Sequence, residues 1–161
     1  MAHGAEGISE AMKGTLTGGC LCGAVRYTLR DGFRLNPYAC HCSNCQSRTG
    51  SAFSEHMLVT LADLDIEGEL DQGRYTMPSG AQSTITGCAQ CRSRIYAVNS
   101  KQEGMASLRC GTLDNSPSLE IRHHIWVSSK QAWIGLSQDA KVLDEQPRSA
   151  EEWVEFVGIA Q

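Results

Sequence analysis

Seven of the chain's eight cysteines fall into three short knots, CLC at 20–22, CHCSNC at 40–45 and CAQC at 88–91, with Cys110 alone in RCGTL. No other feature limits the fold as strongly. Sulfurs two or three residues apart converge only at a tight turn or a strand edge, and two such turns together make the tetrahedral thiolate site of a structural zinc. Cys20 and Cys22 with Cys88 and Cys91 supply such a pair of turns, tying the first strand to the middle of the chain.

Cys40, Cys42 and Cys45 then remain. A second zinc on these three has an open fourth position, the arrangement of a catalytic rather than a structural ion. Soft sulfur ligands favour zinc over magnesium or calcium, and the open position favours a soft substrate atom such as a thiolate. On spacing alone two other partitions stay open. The three cysteines are the second half of a single zinc site, or a CxxC is a redox pair, though no βαβ context surrounds either one. Cys110 reads as a small buried hydrophobe in a strand. His41, on an extended segment between two ligands, points away from them, either behind the metal or to the surface. His123 and His124 are adjacent in a strand and face opposite sides. His56 carries no local signal.

Composition narrows the function. The 161 residues, 41% of them hydrophobic, suit one domain with a lean core that metal would help to hold. A net charge of −4 with scattered Lys and Arg argues against a nucleic-acid partner. No apolar run approaches the roughly 20 residues of a spanning helix. The opening MAHGAEGISEAMKG has no basic start followed by an apolar stretch, so the expectation is a cytoplasmic protein. Residues 1–13 are expected as a flexible N-terminus, folding beginning near Met12, and 14–161 as a single zinc-binding domain. In a reducing compartment, clustered cysteines bind metal or do chemistry.

The rest of the pattern is β. AVRYTL (24–29) alternates, with Val25, Tyr27 and Leu29 on one face. Further strands are predicted at 52–59, 82–88, 94–98, 105–113 and 122–128, separated by glycine and proline turns, which together describe a mainly antiparallel β domain. LADLD (61–65) reads as a short helical turn. SAEEWVEFVGIA (149–160) predicts a C-terminal helix, with a Ser149–Glu152 capping box and a core stripe of Trp153, Phe156, Val157 and Ala160.

The stretches GGCLCGAVRY, YACHCSNCQSRTGSAFS, CAQC, GTLD and HIW with Trp133 run in the order and spacing of a known family. Over about residues 14–135 the chain resembles the glutathione-dependent formaldehyde-activating, or centromere-protein-V-like, enzymes. That resemblance implies an Mss4-like (β-tent) zinc fold with two zincs per chain. Cys20, Cys22, Cys88 and Cys91 match the structural ligands, and Cys40, Cys42 and Cys45 the catalytic ones. It also implies a carbon–sulfur lyase-type enzyme that condenses formaldehyde, a small aldehyde, with the small thiol glutathione to give S-hydroxymethylglutathione. Thr49, Gly50 and Ser51, bordering that site, either offer donors to the substrate or turn the chain into the next strand. The alternative is a non-catalytic zinc domain that binds glutathione or a protein partner. One departure stands out: Arg92 follows CAQC where the family commonly has glycine.

Overall fold

The computed structural model describes residues 10–160; the expected flexible segment lies, for residues 1–9, outside the described residues. Its strands are β1 Leu16–Gly19, β2 Arg26–Leu29, β3 Tyr38–Cys40, β4 Ser54–Thr60, β5 Leu64–Glu67 and β6 Leu70–Thr76. They continue with β7 Gln82–Cys88, β8 Arg94–Asn99, β9 Met105–Arg109, β10 His123–Ile125 and β11 Lys141–Val142. Two α-helices, α1 Ser43–Thr49 and α2 Ala150–Val157, and several short 3-10 turns complete the described regular structure. No described helix is long and apolar enough to cross a membrane.

β1, β2 and β5 form a small antiparallel sheet, and the other eight form a second sheet in the order β11-β10-β3-β4-β9-β8-β7-β6. β10 is the exception to antiparallel pairing, lying parallel to both β3 and β11. β4 is the hinge of the packing because its side chains alternate between two cores. Met57 and Val59 join Val25, Tyr27 and Leu29 beneath the small sheet. Leu58 turns the other way, to Leu35, Tyr38, Ile125, Trp153 and Val157 beneath α2. Met12 is buried in the first core, so its packing reaches back at least to that residue. Gly18 has no room for a side chain: a Cβ there would run into the Tyr27 ring and the Thr112 carbonyl.

Several predicted boundaries move, each for a local reason. The strand at 105–113 stops at Arg109, where Cys110–Thr112 forms a 3-10 turn. The strand at 122–128 is confined to β10, because Trp126 adopts a left-handed backbone (φ +59°) and starts the turn Val127–Ser129. The C-terminal helix ends at Val157. Gly158, at φ +80°, turns the chain across so that Ile159 bridges Leu35 and Ala160 enters the first core. The helix start is as expected, with the Ser149 hydroxyl accepting from the Glu152 N–H at 3.2 Å. The Glu152 carboxylate reaches one residue further back than a capping box requires, to the Arg148 N–H at 2.7 Å. α1 was not predicted. It has no buried residue and therefore no apolar stripe to betray it.

Candidate metal centres and the cavity beside the three-cysteine group

The fold separates the knotted cysteines into four and three. Cys20, Cys22, Cys88 and Cys91 bring their Sγ atoms within 4.8 Å of one another, as do Cys40, Cys42 and Cys45. All eight cysteines are free thiols, and Cys110 lies apart in the first core, as expected of a buried hydrophobe. Four sulfurs held about 2.3 Å from a tetrahedral zinc stand roughly 3.8 Å from each other. The Cys20–Cys22 and Cys22–Cys88 separations are 3.5 and 3.8 Å, so the donor set fits zinc. Backbone N–H groups already point at these sulfurs, from Val25 to Cys20 at 3.2 Å and from Gln90 and Cys91 to Cys88 at 3.3 and 3.4 Å. Such donors favour the thiolate form that a metal needs.

Arg92 closes this knuckle in a left-handed conformation (φ +63°), and its N–H donates to the Cys88 carbonyl at 3.0 Å. The turn that glycine would make is therefore kept, with the side chain paired outward to Asp71.

The three-cysteine group is built where β3 runs into α1. Cys40 ends the strand, Cys42 caps the helix by accepting from the Cys45 N–H at 3.3 Å, and Cys45 follows in the first turn. Hydrogen bonds from the Cys40 and Cys45 thiols hold the Cys42 pKa far below the usual thiol range. Cys40 is pushed far above it, first by its bonds to Cys42 and Cys45 and then by burial. Three converging thiols, one of them favoured as the thiolate by its neighbours, make a ligand set suited to a soft cation.

His41 supports this knuckle from behind. It is fully buried, excluding the surface placement, and its Nε2 lies 3.0 Å from Nδ1 of His124, one nitrogen donating to the other. Burial holds its pKa down near 4, so both rings stay neutral. The His41 carbonyl accepts from Gln46 Nε2 at 2.8 Å and from the Ser129 hydroxyl at 3.0 Å, fastening the knuckle to α1 and to the turn after β10. His123 and His124 do face opposite ways: His123 meets the edge of Phe156 instead.

Sheet register supplies the remaining side chains. Tyr38 pairs with His56, and His56 with Arg109, so three adjacent strands present these residues in one row on one face. Tyr38 stacks on His56 at 5.5 Å. His56 Nδ1 meets the Ser107 hydroxyl at 2.9 Å, and its Nε2 lies 3.7 Å from Cys45 Sγ. Burial, and then the Arg109 charge, keep His56 neutral. Arg109 is itself buried, donating to Ser54 and touching His56. Sequence reasoning missed this row because a period-two pattern says which residues share a face, but not which strands are neighbours.

These groups open onto a cavity of about 500 Å³, lined also by residues of α1, by Tyr75 and by Trp126 and Trp153. Among the described residues its charged lining is Arg48 and Arg109, with no carboxylate, although the chain as a whole is acidic. Thr49, Gly50 and Ser51 sit at the outer end of α1 and are absent from the lining. The Thr49 hydroxyl donates to the Cys45 carbonyl at 2.8 Å, Gly50 caps the helix at φ +66°, and the Ser51 N–H donates to Thr49. Their observed work is to turn the chain out of the helix.

A β domain with two separate thiol clusters, one closed at four sulfurs and one stopping at three beside a cavity, defines a class of cysteine-site protein. The chain belongs to the family of glutathione-dependent formaldehyde-activating enzymes, whose sequence profile matches residues 15–129. No curated protein matches it as an individual relative.

Proposed function

We propose that this protein is a zinc-dependent enzyme that condenses glutathione with formaldehyde to S-hydroxymethylglutathione, a carbon–sulfur lyase-type activity. Two zincs are inferred: a structural one held by Cys20, Cys22, Cys88 and Cys91, and a catalytic one held by Cys40, Cys42 and Cys45. The observation that carries the reading is the three-sulfur group at the cavity. Purely structural zinc sites close at four ligands, whereas three protein ligands leave one position for substrate.

The reaction forms one C–S bond. The glutathione sulfur adds to the carbonyl carbon, and the proton lost from the thiol ends on the carbonyl oxygen. Zinc, when bound, supplies the Lewis acidity that lifts the thiolate fraction of an incoming thiol at neutral pH. The protein's own groups do the rest. The His41–His124 pair and Gln46 hold the knuckle rigid, so the three sulfurs keep their geometry. Arg109, with its charge buried beside Cys45, favours negative charge at that end of the cavity. The apolar walls, Tyr38, Trp126 and Trp153 among them, exclude water from the reacting atoms. The cavity is far larger than formaldehyde needs, and a tripeptide fits within the few hundred Å³ typical of small-ligand sites.

The test is exchange NMR on the zinc-loaded protein with glutathione and ¹³C-formaldehyde. The expected result is faster exchange between free and glutathione-bound formaldehyde than without protein, lost in Cys42→Ser. Two bound zincs and saturable glutathione binding without faster exchange would leave the non-catalytic binding domain as the function.

A further inference from the structure

The proposed reaction does not account for Arg48. It lies one helical turn beyond Cys45 on α1, and side chains three apart on a helix are neighbours. Its guanidinium sits 3.3 Å above the centre of the Tyr75 ring on β6, and both residues line the cavity. Arg26, Arg30, Arg34, Arg92, Arg122 and Arg148 each pair with an aspartate or glutamate. Among the described residues, no carboxylate pairs with Arg48, nor with Arg74, Arg94 or Arg109; of these four, Arg48 and Arg109 line the cavity, and Arg109 is engaged by Ser54 and His56. Among the described residues no hydrogen bond to the Arg48 guanidinium is seen, and a guanidinium edge matches a carboxylate through two parallel N–H bonds. Burial costs this cation some of its hydration, and Arg94 and Arg109 add like charge nearby. A partly desolvated, unpaired arginine in a cavity with no acidic residue among its described lining lacks its counter-ion.

We infer that Arg48, held in place by Tyr75, is the carboxylate anchor of the cavity, selecting acidic peptide-like thiols over neutral ones. It acts on specificity and leaves the bond-forming step alone. The inference builds on the reading of Cys40, Cys42 and Cys45 as the thiol end of the site. A carboxylate one to two residues from a cysteinyl sulfur is roughly 7 Å away, the span of a short stretch of extended chain. One turn of helix plus an arginine side chain covers that distance. Glutathione offers two such groups, on its glycine and its γ-glutamyl residue.

The experiment separates anion recognition from the chemistry by using S-methylglutathione, which has no free thiol, together with its glycine monoethyl ester and its diethyl ester. Their dissociation constants are measured calorimetrically on the zinc-loaded protein and on Arg48→Ala and Arg48→Lys. Wild type is expected to bind the acid about tenfold or more tightly than the ester that masks the anchored carboxylate. Arg48→Ala should lose that discrimination while binding the diethyl ester as wild type does, and Arg48→Lys should keep part of it. Which ester matters tells the glycine carboxylate from the γ-glutamyl one. Equal binding of acid and esters by wild type, or no binding at all, overturns the inference even if every variant misfolds. So does equal weakening of acid and diethyl ester in Arg48→Ala. Turnover of glutathione with a KM unmoved in Arg48→Ala refutes the anchor and leaves the activity intact. Arg48-dependent acid binding without turnover upholds the anchor and removes the activity.

Discussion

Arg92 offers a direct measure of what the four-cysteine knuckle demands of the backbone. Its φ of +63° lies in the left-handed region, which costs a residue with a side chain about 1–2 kcal/mol. Glycine escapes that cost but surrenders roughly 0.5–1 kcal/mol through its freer unfolded chain. The partner interaction is small, because Arg92 and Asp71 are both more than half exposed and such pairs contribute about 0–1 kcal/mol. Arg92→Ala loses the pair and keeps the strain. Arg92→Gly loses the pair and sheds the strain. The glycine variant should therefore be the more stable of the two by about 1 kcal/mol, or roughly 2–4 °C in Tm for a chain of this size. Relative to wild type, Arg92→Gly should be close to neutral. The assay is urea unfolding of both variants at one fixed excess of zinc, with the m-value checked for constancy. An alanine variant equal to or more stable than the glycine variant would refute the argument that φ governs this position.

Two other perturbations test the second core and the buried histidines. Trp153→Ala removes the ring that packs on Tyr38 at 5.0 Å and should cost about 3–5 kcal/mol in thermal unfolding; a loss under about 1 kcal/mol would mean that α2 contributes little to the fold. Stability should fall with acid below about pH 6.5, where an unfolded histidine gains a proton that buried native His41 refuses until about pH 4. Each histidine held neutral contributes a slope of at most about 1.4 kcal/mol per pH unit, with no effect above the unfolded pKa. Unfolding from pH 7 to 5 at matched zinc occupancy should show a shallower slope in His41→Gln, and an unchanged slope would show that the native pair takes up the proton.

Residue types and spacing were enough to read part of this protein. Each cysteine knot was legible as a local cluster because a CxC or CxxC turn aims two sulfurs at one point whatever surrounds it, while the meeting of Cys20 and Cys22 with Cys88 and Cys91 is a tertiary fact. Val25, Tyr27 and Leu29 were placed on one buried face because period two is a property of the extended chain itself. Ser149 and Glu152 marked the start of α2 for the same reason: a cap is satisfied within a few residues. What depended on distant neighbours was not legible. His56 and Arg109 gave no local sign, and become cavity residues only because β4 pairs with both β3 and β9 in one register. His41 meets His124 across 83 residues of sequence, and Arg48 finds Tyr75 on a strand four places away from β4 in the sheet order. The sequence by itself determined the local cysteine turns, the β character and the helix cap, all consequences of short-range geometry. Only the tertiary structure decided the cavity, its positive lining and the buried histidine pair, because each needs groups far apart in the chain to be fixed by packing and strand register.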